Sequence, residues 1–179
     1  MSHVKKHLHT CHMSKNIYIL GIVASGKTTL AKRLSRQLDI PWFELDCIVH
    51  LETSEGRKKR SPEEQVEVIR TIDSEGPWIF EGTDRESYRC LLDMADLVIL
   101  VDPPLWKRKI RIATRMLKQK LGIETSHYKP NLKMLKMMYR WTREFESNRV
   151  SFEARLQPYE HKLIRLSDST DLDDVTLIL

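Results

Sequence analysis

The sequence predicts an α/β fold of three layers, a parallel sheet with helices on both faces. Three observations predict it. Short apolar runs alternate with amphipathic stretches along most of the chain. A loop bounded by glycines, Gly21 to Thr29, stands between a strand-like run and a helix-like one. The strand-like runs end in acids, at Asp46, Glu81 and Asp102.

The loop is the most informative stretch. Gly21-Ile22-Val23-Ala24-Ser25-Gly26-Lys27-Thr28 fits G-x-x-x-x-G-K-[ST], the phosphate-binding pattern of P-loop NTPases. Asn16 to Leu20 before it reads as a buried strand. Thr29 to Leu38 after it reads as a helix with Leu30, Leu34 and Leu38 on one face. Glycine lets the backbone turn tightly and bring its N–H groups close to phosphate oxygens. The helix directs its positive dipole end at the same anion. Gly21, Ala24, Ser25, Gly26, Lys27, Thr28 and Thr29 are therefore the expected nucleotide-binding residues. Lys27 reaches the β- and γ-phosphates in this pattern, and the Thr28 hydroxyl ligates Mg²⁺.

The remaining elements follow in order. Trp42 to Leu45 reads as a second strand ending at Asp46. Ser61-Pro62-Glu63-Glu64 announces a helix with a capping box, its apolar face at Val66, Ile69 and Ile72, stopped by Gly76-Pro77. Trp78-Ile79-Phe80 is a third strand ending in Glu81-Gly82, and Tyr88 to Met94 is helical. Leu97 to Val101 is the clearest buried strand, with five successive apolar residues. After Pro103-Pro104, Leu105 to Leu121 reads as a basic helix. Asn131 to Leu156 reads as further helix with a break near Ser147-Asn148. Lys162 to Leu166 is the last strand, and a short helix is expected from Asp171. No internal repeat or domain boundary is visible. The division is a polar extension over 1–15 and one domain over 16–179, with a basic helical region at about 104–156.

Composition narrows the class. The chain has 179 residues, 41% hydrophobic and 31% charged, as in ordinary globular domains. No apolar run reaches the ~20 residues of a membrane span, and no secretory signal is read at the start. Cys11, Cys47 and Cys90 are scattered, which argues for a reducing compartment, the cytoplasm. His3, His7, His9, Cys11 and His12 crowd the first fifteen residues, yet their spacing matches no closed zinc site.

Ligands of a doubly wound sheet lie beyond the carboxyl ends of its strands. Those ends carry Asp46 with His50 nearby, Glu81 followed by Arg85 and Arg89, and Asp102. One acid there can hold Mg²⁺ through its water shell, and Glu81 takes that role. Another can accept a proton from a hydroxyl or order the acceptor, and Asp46 takes that one, with His50, Arg85 and Arg89 as further acceptor contacts.

The net charge is +5, but residues 107–149 alone carry thirteen Lys and Arg against Glu124, Glu144 and Glu146, a local +10. Arg108, Arg111 and Arg115 recur at helical spacing. Three readings stand: a solvated basic face, a nucleic-acid-binding face, or a cationic lid that supplies charge to a transferring phosphoryl group. Self-repulsion predicts that such a lid stands open until an anion neutralises it.

The chain resembles the adenylate-kinase-related P-loop proteins known as DNA topology modulation proteins. The resemblance spans about Asn16 to Ser167. It rests on Gly21 to Thr29, on Leu45-Asp46 with His50, on Trp78 to Gly82, on Ala95 to Pro104, on the arginine-rich helix, on Trp141 to Phe145 and on Leu163 to Leu166. It implies a five-stranded parallel sheet in the order 2-3-1-4-5 with a helical lid, and binding of ATP with Mg²⁺. It further implies transfer of the γ-phosphoryl group to a small acceptor, by a monomer or homodimer. The family label adds an alternative, a nucleotide-binding regulator acting on DNA. Two departures from adenylate kinases proper are visible. Their loop reads Gly-Lys-Gly-Thr where this chain has Gly26-Lys27-Thr28-Thr29. Their third strand ends Asp-Gly-x-Pro-Arg where this chain has Glu81-Gly82-Thr83-Asp84-Arg85. AMP is thus not established as the acceptor.

Overall fold

The structure, a computed structural model, describes residues 16–53, 56–120 and 132–168. The histidine-rich start and the expected helix from Asp171 lie outside these residues. Five strands form one parallel sheet: β1 (Ile17–Leu20), β2 (Trp42–Glu44), β5 (Ile79–Gly82), β6 (Leu97–Val101) and β7 (Leu163–Leu166). Two further strands, β3 (His50–Thr53) and β4 (Gly56–Lys59), form a separate antiparallel hairpin. The large sheet runs β2-β5-β1-β6-β7. With the hairpin set aside this is the expected 2-3-1-4-5 arrangement, and the hairpin is the detail that the sequence reading lacked.

Alternation along β1 builds both cores. Ile17 and Ile19 face a layer containing Leu30, Ala31 and Leu34 of helix α1 (Lys27–Leu38). Tyr18 and Leu20 face the opposite layer. That layer holds Ile69 of α3 (Pro62–Glu75), Leu45, Ile48 and Val49 of α2 (Leu45–Val49) and Leu91 and Leu92 of α4 (Cys90–Met94). Phe152 and Leu156 of α7 (Arg149–Leu156) complete it. Every residue of β1 and β6 is buried, as a central strand covered on both faces requires.

Local chemistry sets the boundaries. Ser61 caps α3 by accepting from the Glu64 amide, while the Glu64 carboxylate accepts from the Ser61 amide at 2.7 Å, with Pro62 in the first turn. The basic helix is α5 (Leu105–Lys120). The long C-terminal helix breaks at Asn148 into α6 (Leu132–Ser147) and α7. No described helix is long and apolar enough to cross a membrane.

Three expectations are corrected here. The second strand stops at Glu44, and Leu45 opens α2, so Asp46 lies in a helical turn rather than at a strand tip. The helix expected from Tyr88 begins as a 3-10 turn, Glu86–Tyr88, and becomes α-helical only at Cys90. The basic helix does not stand open. Arg108 and Ile112 are buried, and acids distant in sequence pair with three of its cations. Glu146 pairs with Arg108, and Asp168 pairs with both Lys107 and Arg111. A sum of charge over one segment counts none of those partners except Glu146.

Candidate nucleotide and acceptor site

The phosphate-type loop leaves β1 at the point where the sheet divides, with β5 on one side and β6 on the other. Gly21 is wedged between the ends of those strands. Its amide donates to the Gly82 carbonyl at 3.3 Å. A Cβ at this position would come within 2.6 Å of the Val101 carbonyl oxygen and 2.7 Å of Ser25 Oγ. Gly26, at φ 107°, caps α1 in the left-handed region where glycine is at ease. Ala24 holds φ 59° without that freedom, so some strain is stored in the loop.

Lys27 folds back over the loop, and its Nζ donates to the Ile22 carbonyl at 3.0 Å. Desolvation pushes its ammonium below the ordinary lysine pKa, against the upward pull of Glu81, Asp46 and Glu44. Arg115 adds to the downward push, so its charge is felt at the loop. Thr28 Oγ1 donates to Glu81 Oε1 at 2.6 Å, across 53 residues of sequence. Glu81 is 2% exposed. Burial raises its pKa, and Lys27 and the Thr28 hydroxyl only partly offset that.

The residues at hand fit a nucleotide triphosphate with Mg²⁺. Ser25 Oγ is fully buried and has no hydrogen-bond partner, a donor left for an anion. The cradle at Gly21 admits backbone only. The Thr28 hydroxyl and the Glu81 carboxylate meet where a magnesium ion at such sites takes one or two protein oxygens, completing its shell from water and phosphate. Among the described residues no group of three or more His, Cys, Asp or Glu is arranged to hold a metal.

Of the acceptor candidates, Asp46 and Arg85 are brought together, with Arg85 Nη2 donating to Asp46 Oδ1 at 3.0 Å, and both remain partly exposed. His50 lies one turn on, its Nδ1 3.3 Å from the Asp46 carbonyl oxygen. Arg89 is not drawn into that group and pairs with Glu86 at 3.4 Å on the surface.

The three arginines of α5 part company. Arg108 is 1% exposed and is bound to Glu146, its guanidinium lying over the Phe145 ring. Glu146 also accepts from Arg149, which holds Asp102 through two bonds of 2.6 and 3.2 Å. Asp102 is therefore committed to tying α7 to the end of β6. Arg111 reaches the loop itself: Nη1 donates to the Ser25 carbonyl at 2.8 Å, and Nη2 to Asp168 at 2.7 Å. Asp168 and Glu146 were not marked by the sequence. Asp168 lies 57 residues from Arg111 and Glu146 lies 38 residues from Arg108, separations that no local pattern reports.

No family model matches the chain, and no curated protein matches it in sequence. Solved structures do. A shikimate kinase from Acinetobacter baumannii in complex with shikimate superposes with a TM-score of 0.55 at 15% identity, over 93% of this chain and 92% of that one. A gluconokinase from Sinorhizobium meliloti does so with a TM-score of 0.52 at 14% identity, over 86% of this chain and 82% of that one. At such identities the likeness is one of fold, and the fold that this chain shares with them is that of the P-loop kinases.

Proposed function

We propose that this chain is a small-molecule kinase that moves the γ-phosphoryl group of Mg·ATP to a hydroxyl or phosphate acceptor. The meeting of Lys27, Thr28 and Glu81 at the loop carries the reading, above all the 2.6 Å bond that joins the Thr28 hydroxyl to a buried carboxylate from a different strand. Gly21, Ala24, Ser25, Gly26 and Thr29 supply the cradle and its amides, with Lys27 on the β- and γ-phosphates. Thr28 and Glu81 hold the magnesium ion, which when bound neutralises charge on the phosphates. Asp46 accepts the acceptor's proton as its oxygen attacks, and Arg85, with His50 beside them, orients the acceptor. Arg111 and Arg115 stabilise charge on the transferring group. Arg108 supports them by fixing α5 on α6.

The neighbouring structures are named as kinases of small molecules, which fits this reading without naming the acceptor. The resemblance to DNA topology modulation proteins rests on the motifs. One observation keeps the DNA alternative alive: Lys133, Lys136, Arg140 and Arg143 are all exposed on α6. A panel of nucleosides, nucleotides and sugars incubated with labelled ATP and Mg²⁺ tests the proposal. Label is expected on one chemical class of acceptor. No transfer to any of them, together with duplex-DNA binding that weakens steeply with salt, would favour the alternative.

A further inference from the structure

We infer that Asp168 is a positioning residue for phosphoryl transfer, acting through Arg111; this rests on the kinase reading. Asp168 follows the edge strand β7 and is 7% exposed. Its two carboxylate oxygens are divided between two cations of α5. Oδ1 accepts from Arg111 Nη2 at 2.7 Å, and Oδ2 accepts from Lys107 Nζ at 2.6 Å. The other arm of Arg111 donates to the Ser25 carbonyl of the loop at 2.8 Å. One carboxylate from the edge of the sheet thus fixes the guanidinium whose other end rests on the loop. Arginine loses several rotors on being fixed, and a buried anion holding one edge of its planar fork means that loss is already met before any anion arrives. The side chain stays charged throughout, so what Asp168 sets is its place.

Position and charge make opposite predictions here. Neutralising a carboxylate close to an anion site removes repulsion, so on charge alone Asp168→Asn binds ATP as well as before or better. Releasing Arg111 from its geometry costs turnover, because misplacement of a charge-stabilising group by about 1 Å is worth up to about 10²-fold. A purely structural role would instead lower thermal stability and ATP affinity together.

The test uses the full-length chain with Mg·ATP. ATP affinity is read by calorimetry, and the single-turnover rate of ADP formation is read with water as the acceptor, so no acceptor need be known. Asp168→Asn is expected to slow turnover roughly tenfold with ATP affinity unchanged or improved. Arg111→Ala is expected to slow it at least as much, and the double variant no further than Arg111→Ala alone. Asp168→Glu should recover part of the rate. Lys107→Met, which leaves the bond between Arg111 and Asp168 in place, should leave turnover near wild type. Multiplying losses in the double variant, or unchanged turnover in a folded Asp168→Asn protein, would overturn the inference. A wild-type chain that binds no ATP would remove the kinase reading and this inference with it.

Discussion

Glu81 is the residue at which stability and the proposed function oppose each other. Its carboxylate is buried, its pKa is raised by desolvation, and among the described residues it accepts a hydrogen bond from Thr28. The neutral form is better accommodated in the folded chain, so the folded pKa lies above the unfolded one. The sign follows: the contribution of Glu81 to stability is greatest at low pH and falls as pH rises through the ordinary carboxylate range to the raised value. Glu81→Gln keeps the shape and an acceptor for Thr28 and removes the charge. It is expected to stabilise the ligand-free protein at neutral pH by on the order of 1 kcal/mol and to lose Mg²⁺-dependent turnover. Melting curves across pH for both proteins check the first part, since the difference between them should shrink as pH falls. The arginines of α5 divide in the same manner. Arg108→Ala leaves Glu146 without one of its guanidinium partners and opens a cavity, and should cost about 2–3 kcal/mol in unfolding experiments. Arg115→Ala should lower kcat roughly 10²–10³-fold. Equal loss of affinity and rate at Arg115 would mark it as a uniform binder instead.

The elements bear different loads. Helix α3 starts on a complete capping box, and the neighbouring Arg60 donates to the Ile48 carbonyl of α2 at 2.7 Å. Ser61→Ala should cost about 1 kcal/mol by chemical denaturation and leave ATP affinity as it was, because the cap's bonds run between Ser61 and Glu64 and involve no residue of the loop. The start of α1 was legible in the sequence, since the glycine spacing and the flanking strand and helix are local patterns. So were β6, whose five apolar residues have no polar partner to mislead, and the break at Asn148. The β3–β4 hairpin was not legible. His50 pairs with Lys59 and Leu51 with Lys58, and a ribbon with polar residues on both faces has no period to read. The end of β2 was misplaced for the reverse reason. Leu45, Ile48 and Val49 are apolar and continue the look of a strand, yet they are the inner face of a single helical turn. Gln65 likewise gave no signal, although it is buried and ties Arg60 to Ser87 at 2.8 Å each.

At the scale of the molecule, two groups of candidate site residues meet from opposite halves of the chain. The loop, Glu81 and Asp46 come from the first half, and α5 and Asp168 come from the second, against the same carboxyl edge of the sheet. The loop and Glu81 could be read from the sequence because strand ends in a parallel sheet converge by rule, whereas Asp46 reaches the same edge from a helical turn. Of the second, the arginines of α5 were marked by their helical spacing, but Asp168 and the pairings were not. Pairings such as Arg111 with Asp168 and Arg149 with Asp102 span 57 and 47 residues and depend on how α5, α6 and α7 fold back. The same pairings hold described parts of this basic region, at Arg111 and Arg149, against the rest of the fold.

The central claim is that this loop is a triphosphate-binding centre that performs chemistry. Its most direct test is a titration of the wild-type chain and of Lys27→Ala with a fluorescent ATP analogue in saturating Mg²⁺, with circular dichroism on both. Saturable, Mg²⁺-dependent binding by the wild type is expected, with loss of it in a variant whose spectrum and melting temperature are those of a folded protein. Equal affinity in both proteins would contradict the account.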